Sequence, residues 1–406
     1  MTEQAKVPAI RFAGFTDPWE QRKLGDVASS FDYGLNAAAT EYDGQNKYLR
    51  ITDIDDETHE FSKSDLTTPL ADLAMSADYL LKEGDLLFAR TGASVGKTYL
   101  YRQFDGMVYF AGFLIRARIG EGADPEFAYQ ATLTDAYKKY VAITSQRSGQ
   151  PGVNAQEYAD YQLMLPSKTE QQQIGMTLRS LDDLITLHQR KYDKLVILKK
   201  SMLEKMFPKD GESVPEIRFA GFTDPWEQRK ASEVFQIVDD RGHPTLPVLS
   251  ATQNQGMIYR DDSGRYIGHD ESNEIGYKRV LPGDFVVHLR SFQGGFAHSQ
   301  YEGITSPAYT VFRAKEPTSH SDRFWKHWFM SEHFIAGLST VTYGIRDGRS
   351  ISVDEFMNTF LAFPAVEEQA AISRLFDYLD DLITLQQRKL ELLQNIKKSL
   401  LDKMFV

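Results

Sequence analysis

LDDLITLHQRK (Leu181–Lys191) returns near the carboxyl end of the chain as LDDLITLQQRK (Leu379–Lys389), with a single substitution. The match extends outward at a constant offset of 198 residues, and both copies end in Lys-Met-Phe. Internal repeats are sought first, because overlooking one misjudges the whole fold. Two copies this far apart predict a molecule with two-fold pseudo-symmetry, in contrast to a solenoid of short units.

The repeated stretch carries the apolar period of a coiled coil. Its apolar side chains are spaced by four and three residues in turn, which over several heptads indicates a helical seam. The predicted seam consists of Ile174, Leu178, Leu181, Ile185, His188, Leu195, Ile372, Phe376, Leu379, Ile383, Gln386 and Leu393. Its polar members either set the register of the helices or extend from the seam edge towards solvent.

The two long helices are predicted to pair with each other in antiparallel orientation. A globular segment between them has to return the chain to its starting end. Pairing across two molecules is the alternative. Ser167 with Glu170 has the pattern of a capping box and predicts where the first helix begins.

A second repeat precedes each globular segment. IRFAGFTDPWEQRK (Ile10–Lys23) recurs unchanged at Ile217–Lys230. Asp17, Pro18 and Glu20 have the pattern of a helix start. The second copy has the same pattern from Asp224. The aromatic side chains of the first copy are predicted to be core or docking residues: Phe12, Phe15 and Trp19.

Each globular segment shows strand and helix patterns in the same order. In the first, strands are predicted at 47–54, 85–90, 108–119 and 161–166, and a helix at 125–143. In the second, the corresponding strands are at 246–251, 284–289, 308–314 and 359–364, and the helix at 321–338.

The predicted fold class is α+β, with two globular α/β bodies separated by two long antiparallel helices that form a coiled coil with pseudo-two-fold symmetry. The predicted parts are body 1 (1–166), a central long helix (167–208), a linker with body 2 (209–364) and a C-terminal long helix (365–406).

Composition limits the possible functions. The chain has 406 residues and no cysteine, so disulfides and thiolate metal sites are excluded. No apolar run approaches the roughly 18 residues of a membrane span, and the polar N-terminus does not have the pattern of a signal peptide. We therefore expect a soluble cytoplasmic protein. The net charge of −11 argues against binding phosphates over the whole surface, but it permits binding through local basic patches.

A glycine-rich loop follows a predicted strand in body 1. TGASVGKT (Thr91–Thr98) is one residue too short for a phosphate-binding P-loop, and the next stretch has the pattern of a strand. A loop of this composition suits contact with a nucleic-acid backbone and with base edges. The candidates are Arg90, Thr91, Ser94 and Lys97, with Arg290, Ser291 and Gln293 at the matching position of body 2. A plain turn is the alternative.

A second candidate is the loop SQRSGQPGVN (Ser145–Asn154). Arginine suits the edge of guanine, and asparagine or glutamine suits adenine. The candidates are Gln146, Arg147, Gln150 and Asn154, with Tyr343, Arg346 and Arg349 in body 2. A solvated basic loop is the competing interpretation.

Motifs for catalysis are missing or incomplete. Asp17-Pro18-Trp19 lacks the second proline of an amino-methyltransferase motif, and the glycine motif for S-adenosylmethionine is absent. No zincin, serine-hydrolase or metal-ligand pattern is present. The sequence therefore predicts no catalytic residues and no metal ligands.

The paired bodies and repeated helices together resemble the specificity subunit of type I restriction–modification enzymes. The resemblance spans the whole chain. Its strongest marks are Pro8–Val27, the second opening from Pro215, and the two LDDLITL helices that end in Lys-Met-Phe.

The resemblance implies that each body is a target-recognition domain that reads one half of a bipartite double-stranded DNA site. It further implies that the helices fix the spacer and bind two methylation subunits, with restriction subunits in the full complex. S-adenosylmethionine, ATP and magnesium are expected in those partners and no cofactor in this chain. The rival functions are a coiled-coil scaffold without DNA readout and a stand-alone enzyme, against which the missing motifs count.

Overall fold

The chain folds into two compact units in a computed structural model. The structure describes residues 7–56, 58–147, 149–209, 211–252, 255–264, 271–287, 296–337, 342–343 and 350–406. Unit 1 comprises Met1–Arg190 and Gln387–Val406, and unit 2 comprises Lys191–Gln386. Each long helix therefore contributes one stretch to each unit. The predicted four-part division follows element boundaries instead, and it stays a prediction.

Unit 1 is built on an antiparallel sheet. Its strands are β1 (Glu20–Lys23), β2 (Ala28–Tyr33), β3 (Ala39–Glu41), β4 (Lys47–Leu49), β5 (Thr67–Pro69), β6 (Asp85–Ala89), β7 (Thr98–Leu100), β8 (Val108–Phe110), β9 (Leu114–Ile119) and β10 (Gln162–Leu165). Its helices are α1 (Leu24–Val27), α2 (Pro125–Ala131), α3 (Asp135–Thr144), α4 (Ala155–Ala159) and the start of α5 (Lys168–Lys205). The four-stranded sheet has the order β2-β9-β6-β7, while β1 pairs with β10 and β4 runs parallel to β8.

Unit 2 repeats this plan. Its strands are β11 (Glu227–Lys230), β12 (Phe235–Val238), β13 (Leu249–Thr252), β14 (Gly256–Tyr259), β15 (Lys278–Val280), β16 (Phe285–Val287), β17 (Phe296–His298), β18 (Gly303–Thr305), β19 (Thr310–Ala314), β20 (Thr342–Tyr343), β21 (Ser350–Ile351) and β22 (Phe360–Phe363). Its helices are α6 (Ala231–Val234), α7 (Asp322–Trp328), α8 (Glu332–Gly337), α9 (Val353–Asn358) and the start of α10 (Val366–Met404). The sheet order β12-β19-β16-β17 and the pair β11-β22 correspond element by element to unit 1.

The long helices pair in antiparallel orientation within each unit. In unit 1, Leu178 and Leu181 from the start of α5 share a core with Leu400 and Met404 from the end of α10. In unit 2, the end of α5 packs in the same way against the start of α10. The predicted fold class, with two α/β bodies and an antiparallel pair of long helices, is confirmed.

The repeated fourteen-residue segment joins each body to both long helices. In unit 1 the backbone N–H of Ile10 donates to the carbonyl of Lys403 at 2.9 Å, at the end of α10. Arg11 Nε and Nη2 donate to the two carboxylate oxygens of Glu170 at 2.7 and 2.6 Å, at the start of α5. Because Glu170 is fully buried, this charge depends on Arg11 for compensation. We call this arrangement the joint of unit 1.

Unit 2 contains the same joint. Ile217 N–H donates to the Lys205 carbonyl at 2.8 Å. Arg218 Nε and Nη2 donate to the buried Glu368 carboxylate at 2.8 and 2.7 Å. Trp226 Nε1 adds a third donor to Glu368 at 3.0 Å, whereas the equivalent Trp19 Nε1 is buried without a hydrogen-bond partner among the described residues. The near-identity of the repeats therefore follows from the joint that each copy builds.

The helix predicted to start at Asp17, and again at Asp224, is wrong. Residues Glu20–Lys23 form strand β1, which pairs in register with β10, and Glu227–Lys230 pairs with β22 in the same way. The strand partner lies far away in sequence and supplies backbone hydrogen bonds that outweigh a local capping signal. Among the three aromatic candidates, Trp19 is a buried core residue as predicted, and Phe12 packs against the same core.

Three longer predicted elements are each divided in two. The strand predicted over 108–119 turns at Ala111–Phe113, where the Leu114 N–H donates to the Ala111 carbonyl at 2.8 Å. The helix predicted over 125–143 ends at Ala131, and Thr134 caps the next helix by accepting from Tyr137 N–H. The helix predicted over 321–338 is likewise divided, with the Ser331 hydroxyl accepting from Phe334 N–H at 3.3 Å. Threonine and serine side chains offer the backbone this local alternative to a continuous helix.

Two smaller predictions also need correction. The strand predicted over 47–54 ends at Leu49 and is followed by a short 3-10 turn over Ile51–Asp53. At the start of α5, the Glu170 N–H lies 3.4 Å from the Ser167 hydroxyl, but the Glu170 carboxylate binds Arg11. The capping box is therefore only half formed.

Because His320 is buried, we expect the free energy of unfolding of unit 2 to depend on pH. Trp325 Nε1 donates to its Nδ1 at 2.8 Å, which leaves the ring proton on Nε2. Burial lowers the pKa of His320 to about 4, from an ordinary value of 6.5. Between these two values the unfolded chain binds a proton that the folded chain does not, so stability falls as the pH decreases through this window. We expect this group to cost up to about 3 kcal/mol of unfolding free energy between pH 7 and pH 4.

Urea denaturation at a series of pH values measures this loss. His320→Gln keeps a hydrogen-bond acceptor for Trp325 and should reduce the loss. Equal pH dependence in wild type and His320→Gln would contradict the assignment.

Candidate nucleic-acid interface

The two candidate loops of body 1 lie side by side. The Gly92 N–H donates to the Pro151 carbonyl at 3.0 Å, and the Val153 N–H donates to the Arg90 carbonyl at 2.9 Å. Residues 90–97 and the described residues 145–147 and 149–154 are thus neighbours, and together we call them the paired-loop surface. Sequence reasoning identified both loops without indicating that they are neighbours.

Gly92 shows why this loop needs glycine. Its φ is +74°, a left-handed conformation that side chains rarely adopt. A Cβ at this position would lie 2.9 Å from the Gln150 side-chain nitrogen, so the two loops approach each other closely here. Gln146 and Gln150 of the second loop are exposed to solvent.

The half-buried Arg90 side chain of the paired-loop surface contacts two aromatic rings. Its guanidinium carbon lies 5.1 Å from the centre of the Tyr33 ring and 6.0 Å from that of Phe113. Both rings are open to solvent, with Tyr33 44% and Phe113 60% exposed. The Tyr33 hydroxyl accepts from the Ala155 N–H at 3.2 Å, which holds that ring against the start of α4, directly after the second loop.

Tyr33 and Phe113 were not among the predicted site residues. They come from the end of β2 and from the turn before β9, far from Arg90 in sequence. An exposed phenylalanine at a turn is a weak signal on its own. The order β2-β9-β6 in the sheet brings both rings close to Arg90.

Lys97 is directed into the protein. Its side chain is only 11% exposed, forms an ion pair with Asp56 and donates from Nζ to the Ile54 carbonyl at 2.9 Å. The lysine therefore holds the neighbouring 54–56 segment. Thr91 and Ser94 are half-buried, and the Ser94 carbonyl accepts from the Lys97 N–H at 3.0 Å within the loop.

Two candidates of the second loop have local structural partners. Asn154 caps α4 by accepting from the Glu157 N–H at 2.9 Å. Arg147 donates to the Thr144 carbonyl at 2.7 Å and forms an ion pair with Glu157. These contacts position the loop. Whether any candidate touches DNA stays a prediction.

The candidates of body 2 fall largely outside the described residues. Arg290, Ser291, Gln293, Arg346 and Arg349 all lie there. The backbone of Tyr343 belongs to β20 and pairs with Ser350 of β21. The interface of body 2 therefore stays a prediction from the sequence.

All twelve predicted seam residues of the long helices are buried or half-buried. Lysines at two further seam positions form equivalent ion pairs across the helices. Lys397 Nζ lies 2.5 Å from Asp182 in unit 1, and Lys199 Nζ lies 2.5 Å from Asp380 in unit 2. Of the two alternatives for polar seam positions, these lysines therefore make specific pairs.

One group of side chains in unit 2 has the spacing of metal ligands. Ligand atoms of His327, Asp377 and Asp380 all lie within 4.8 Å of one another. The carboxylates already have cationic partners, since Lys326 lies 3.5 Å from Asp377 and 3.3 Å from Asp380. Burial lowers the pKa of His327, which favours its neutral form. This cluster is a network of ion pairs that fixes α7 against α10.

No helix in the described parts of the chain combines the length and apolar character needed to cross a bilayer.

Known proteins are similar in sequence to this chain over most of its length. Residues 16–196 match the family described as type I restriction modification DNA specificity domain. The chain is 22% identical over 407 residues to the type I restriction enzyme MjaVIII specificity subunit of Methanocaldococcus jannaschii, covering 95% of this chain and 92% of the relative. It is 21% identical, with the same two coverages, to the putative type I restriction enzyme MjaX specificity subunit of the same organism.

A solved structure agrees with the fold. The type I restriction–modification S subunit from M. genitalium superposes with a TM-score of 0.61 at 11% identity, and the match covers 98% of this chain and 99% of that chain. The fold of this chain is therefore similar to that of a type I restriction–modification S subunit. Within the chain, residues 16–196 match the type I restriction modification DNA specificity domain, and two type I specificity subunits are similar in sequence over 95% of the chain.

Proposed function

We propose that this chain is the sequence-reading subunit of a type I restriction–modification complex. Each body reads one half of a bipartite double-stranded DNA site, and the paired helices set the spacer between the halves. The observation that carries this proposal is the joint, which is built twice from identical residues and presents two bodies with different loops. Constant joints suit constant partners, whereas variable loops suit different DNA sequences.

Equivalent apolar side chains support two partner sites on the helices. Leu187 on α5 and Leu385 on α10 occupy matching positions of the repeat, and each is 46% exposed. Leu198 and Ile396 form a second matching pair of exposed side chains. Exposed apolar side chains that recur on one element favour a protein interface. The proposed occupants are two methylation subunits, with restriction subunits joining in the full complex.

The catalytic steps are assigned to the methylation and restriction subunits. S-adenosylmethionine would bind to the methylation subunits, and ATP with magnesium to the restriction subunits. This chain would be a non-catalytic subunit that works in the cytoplasm. Its net charge of −11 supports this division, because affinity for DNA depends largely on cations that neutralise phosphates.

Selection from a DNA library tests the proposal. The chain is incubated with random duplexes, alone and with its methylation partner, and retained duplexes are sequenced after gel-shift. We expect the complex to select a bipartite sequence and the isolated chain to bind weakly. Failure of the complex to select any sequence would favour the scaffold function. Tight and specific binding by the isolated chain would contradict the dependence on the partner.

A further inference from the structure

Arg90 differs from the other arginines of body 1 in its partners. Seven arginines there have a carboxylate within ion-pair distance: Arg11, Arg22, Arg50, Arg102, Arg116, Arg118 and Arg147. Among the described residues, the Arg90 side chain has no such carboxylate, and its buried Nε has no hydrogen-bond partner. Body 1 contains more acidic than basic residues, so an arginine without a carboxylate partner is unusual there.

The Arg90 backbone is held on both sides. Its N–H donates to the Phe113 carbonyl at 3.1 Å, and its carbonyl accepts from the Val153 N–H at 2.9 Å. The backbone that carries the side chain is therefore fixed at both its N–H and its carbonyl. Tyr33 and Phe113 then restrict the guanidinium through contacts between a cation and aromatic faces.

We propose that Arg90, positioned by Tyr33 and Phe113, reads one guanine in the half-site of body 1, an inference that rests on the function proposed above. A guanidinium can donate two parallel hydrogen bonds to O6 and N7 of guanine in the major groove. Restriction by two rings reduces the conformational entropy that Arg90 loses on binding. A carboxylate partner would compete with the base for the same donors, and the described structure places none there.

Gln150 and Gln146 extend the same surface. Both are exposed on the loop that is hydrogen-bonded to Arg90. Their amide groups have the donor and acceptor that adenine requires. The surface thus combines an arginine with neighbouring glutamines, which suits direct readout of a short base sequence.

The test measures base preference position by position. Complexes of this chain with its methylation partner are selected against duplexes in which the half-site of body 1 is randomised. Arg90→Lys keeps the positive charge but loses the planar pair of donors. We expect its preference for guanine at one position to fall roughly tenfold or more, with the half-site of body 2 unchanged. Arg22→Lys is the matched control, since exposed Arg22 lies on β1 beside Glu20.

The aromatic residues have their own variants. Tyr33→Phe keeps the ring and should retain the preference for guanine. Tyr33→Ala and Phe113→Ala remove a ring and should weaken that same position without changing the others. This pattern identifies positioning residues, since a general loss of folding would reduce every position together.

Three outcomes would overturn the inference. In one, Arg90→Lys leaves every base preference unchanged. In another, Arg90→Ala weakens binding to all sequences equally and makes the salt dependence shallower, which is the behaviour of a phosphate contact. In the third, Arg90→Lys weakens a position that does not prefer guanine. A wild-type complex that selects no sequence would instead refute the proposed function, so the two failures are distinguishable.

Discussion

Arg218→Ala is expected to lower the free energy of unfolding of unit 2 by about 3–5 kcal/mol, the usual cost of removing one partner from a buried ion pair. The variant leaves the Glu368 carboxylate buried, with Trp226 Nε1 at 3.0 Å as its remaining side-chain donor. Arg11→Ala should cost at least as much in unit 1, because the indole of Trp19 does not donate to Glu170. Such losses are large beside the roughly 5–15 kcal/mol that stabilises a typical domain.

Urea denaturation followed by circular dichroism measures these losses. Arg241→Ala is the matched control, because Arg241 and Asp239 form an exposed pair in the same unit. Water and salt screen exposed ion pairs, which therefore contribute little to stability, so this variant should unfold close to wild type. Replacing both Arg218 and Glu368 by apolar residues of similar volume should recover much of the loss. Equal effects of Arg218→Ala and Arg241→Ala would show that the joint does not depend on its ion pair.

Exchange of body 1 is expected to change one half of the recognised DNA sequence completely. Residues 24–166 are replaced by the corresponding body of a type I specificity subunit that is similar to this chain. The side chains of the joint, Arg11 and Glu170, lie outside the exchanged segment and keep their pairing. Within the segment, β10 binds β1 through backbone hydrogen bonds, which place few demands on side-chain identity. The foreign body should therefore attach to the same joint.

Mapping of methylated adenines in a host that expresses the complex provides the measurement. The half-site of body 2 and the spacer should stay as in wild type. As a complementary variant, one heptad is inserted into both long helices together. This change should alter the spacer and leave both half-sites intact. Unchanged methylation specificity after body exchange would contradict recognition by body 1, and unchanged spacing after the insertions would contradict the role of the helices.

Most of the architecture could be predicted from the sequence because its signals are local or repeated. The 3.5-residue period of α5 and α10 is visible in each helix separately. The constant offset of 198 residues indicates that the helix sequence occurs twice. The helix predicted at Asp17 was wrong for the opposite reason. Its capping signal is local, but the partner of Glu20–Lys23 is β10, at the other end of the body.

For the candidate site too, some features follow from the sequence and others only from the tertiary structure. The sequence by itself determined that two loops of body 1 carry polar and basic residues, and that two long helices repeat one pattern. Only the tertiary structure decided that Lys97 is directed towards Asp56, that Asn154 caps α4, and that Arg90 contacts two rings. The choice of partner for a charge depends on which carboxylates and rings the folded chain brings within a few ångströms, and residues distant in sequence supply them.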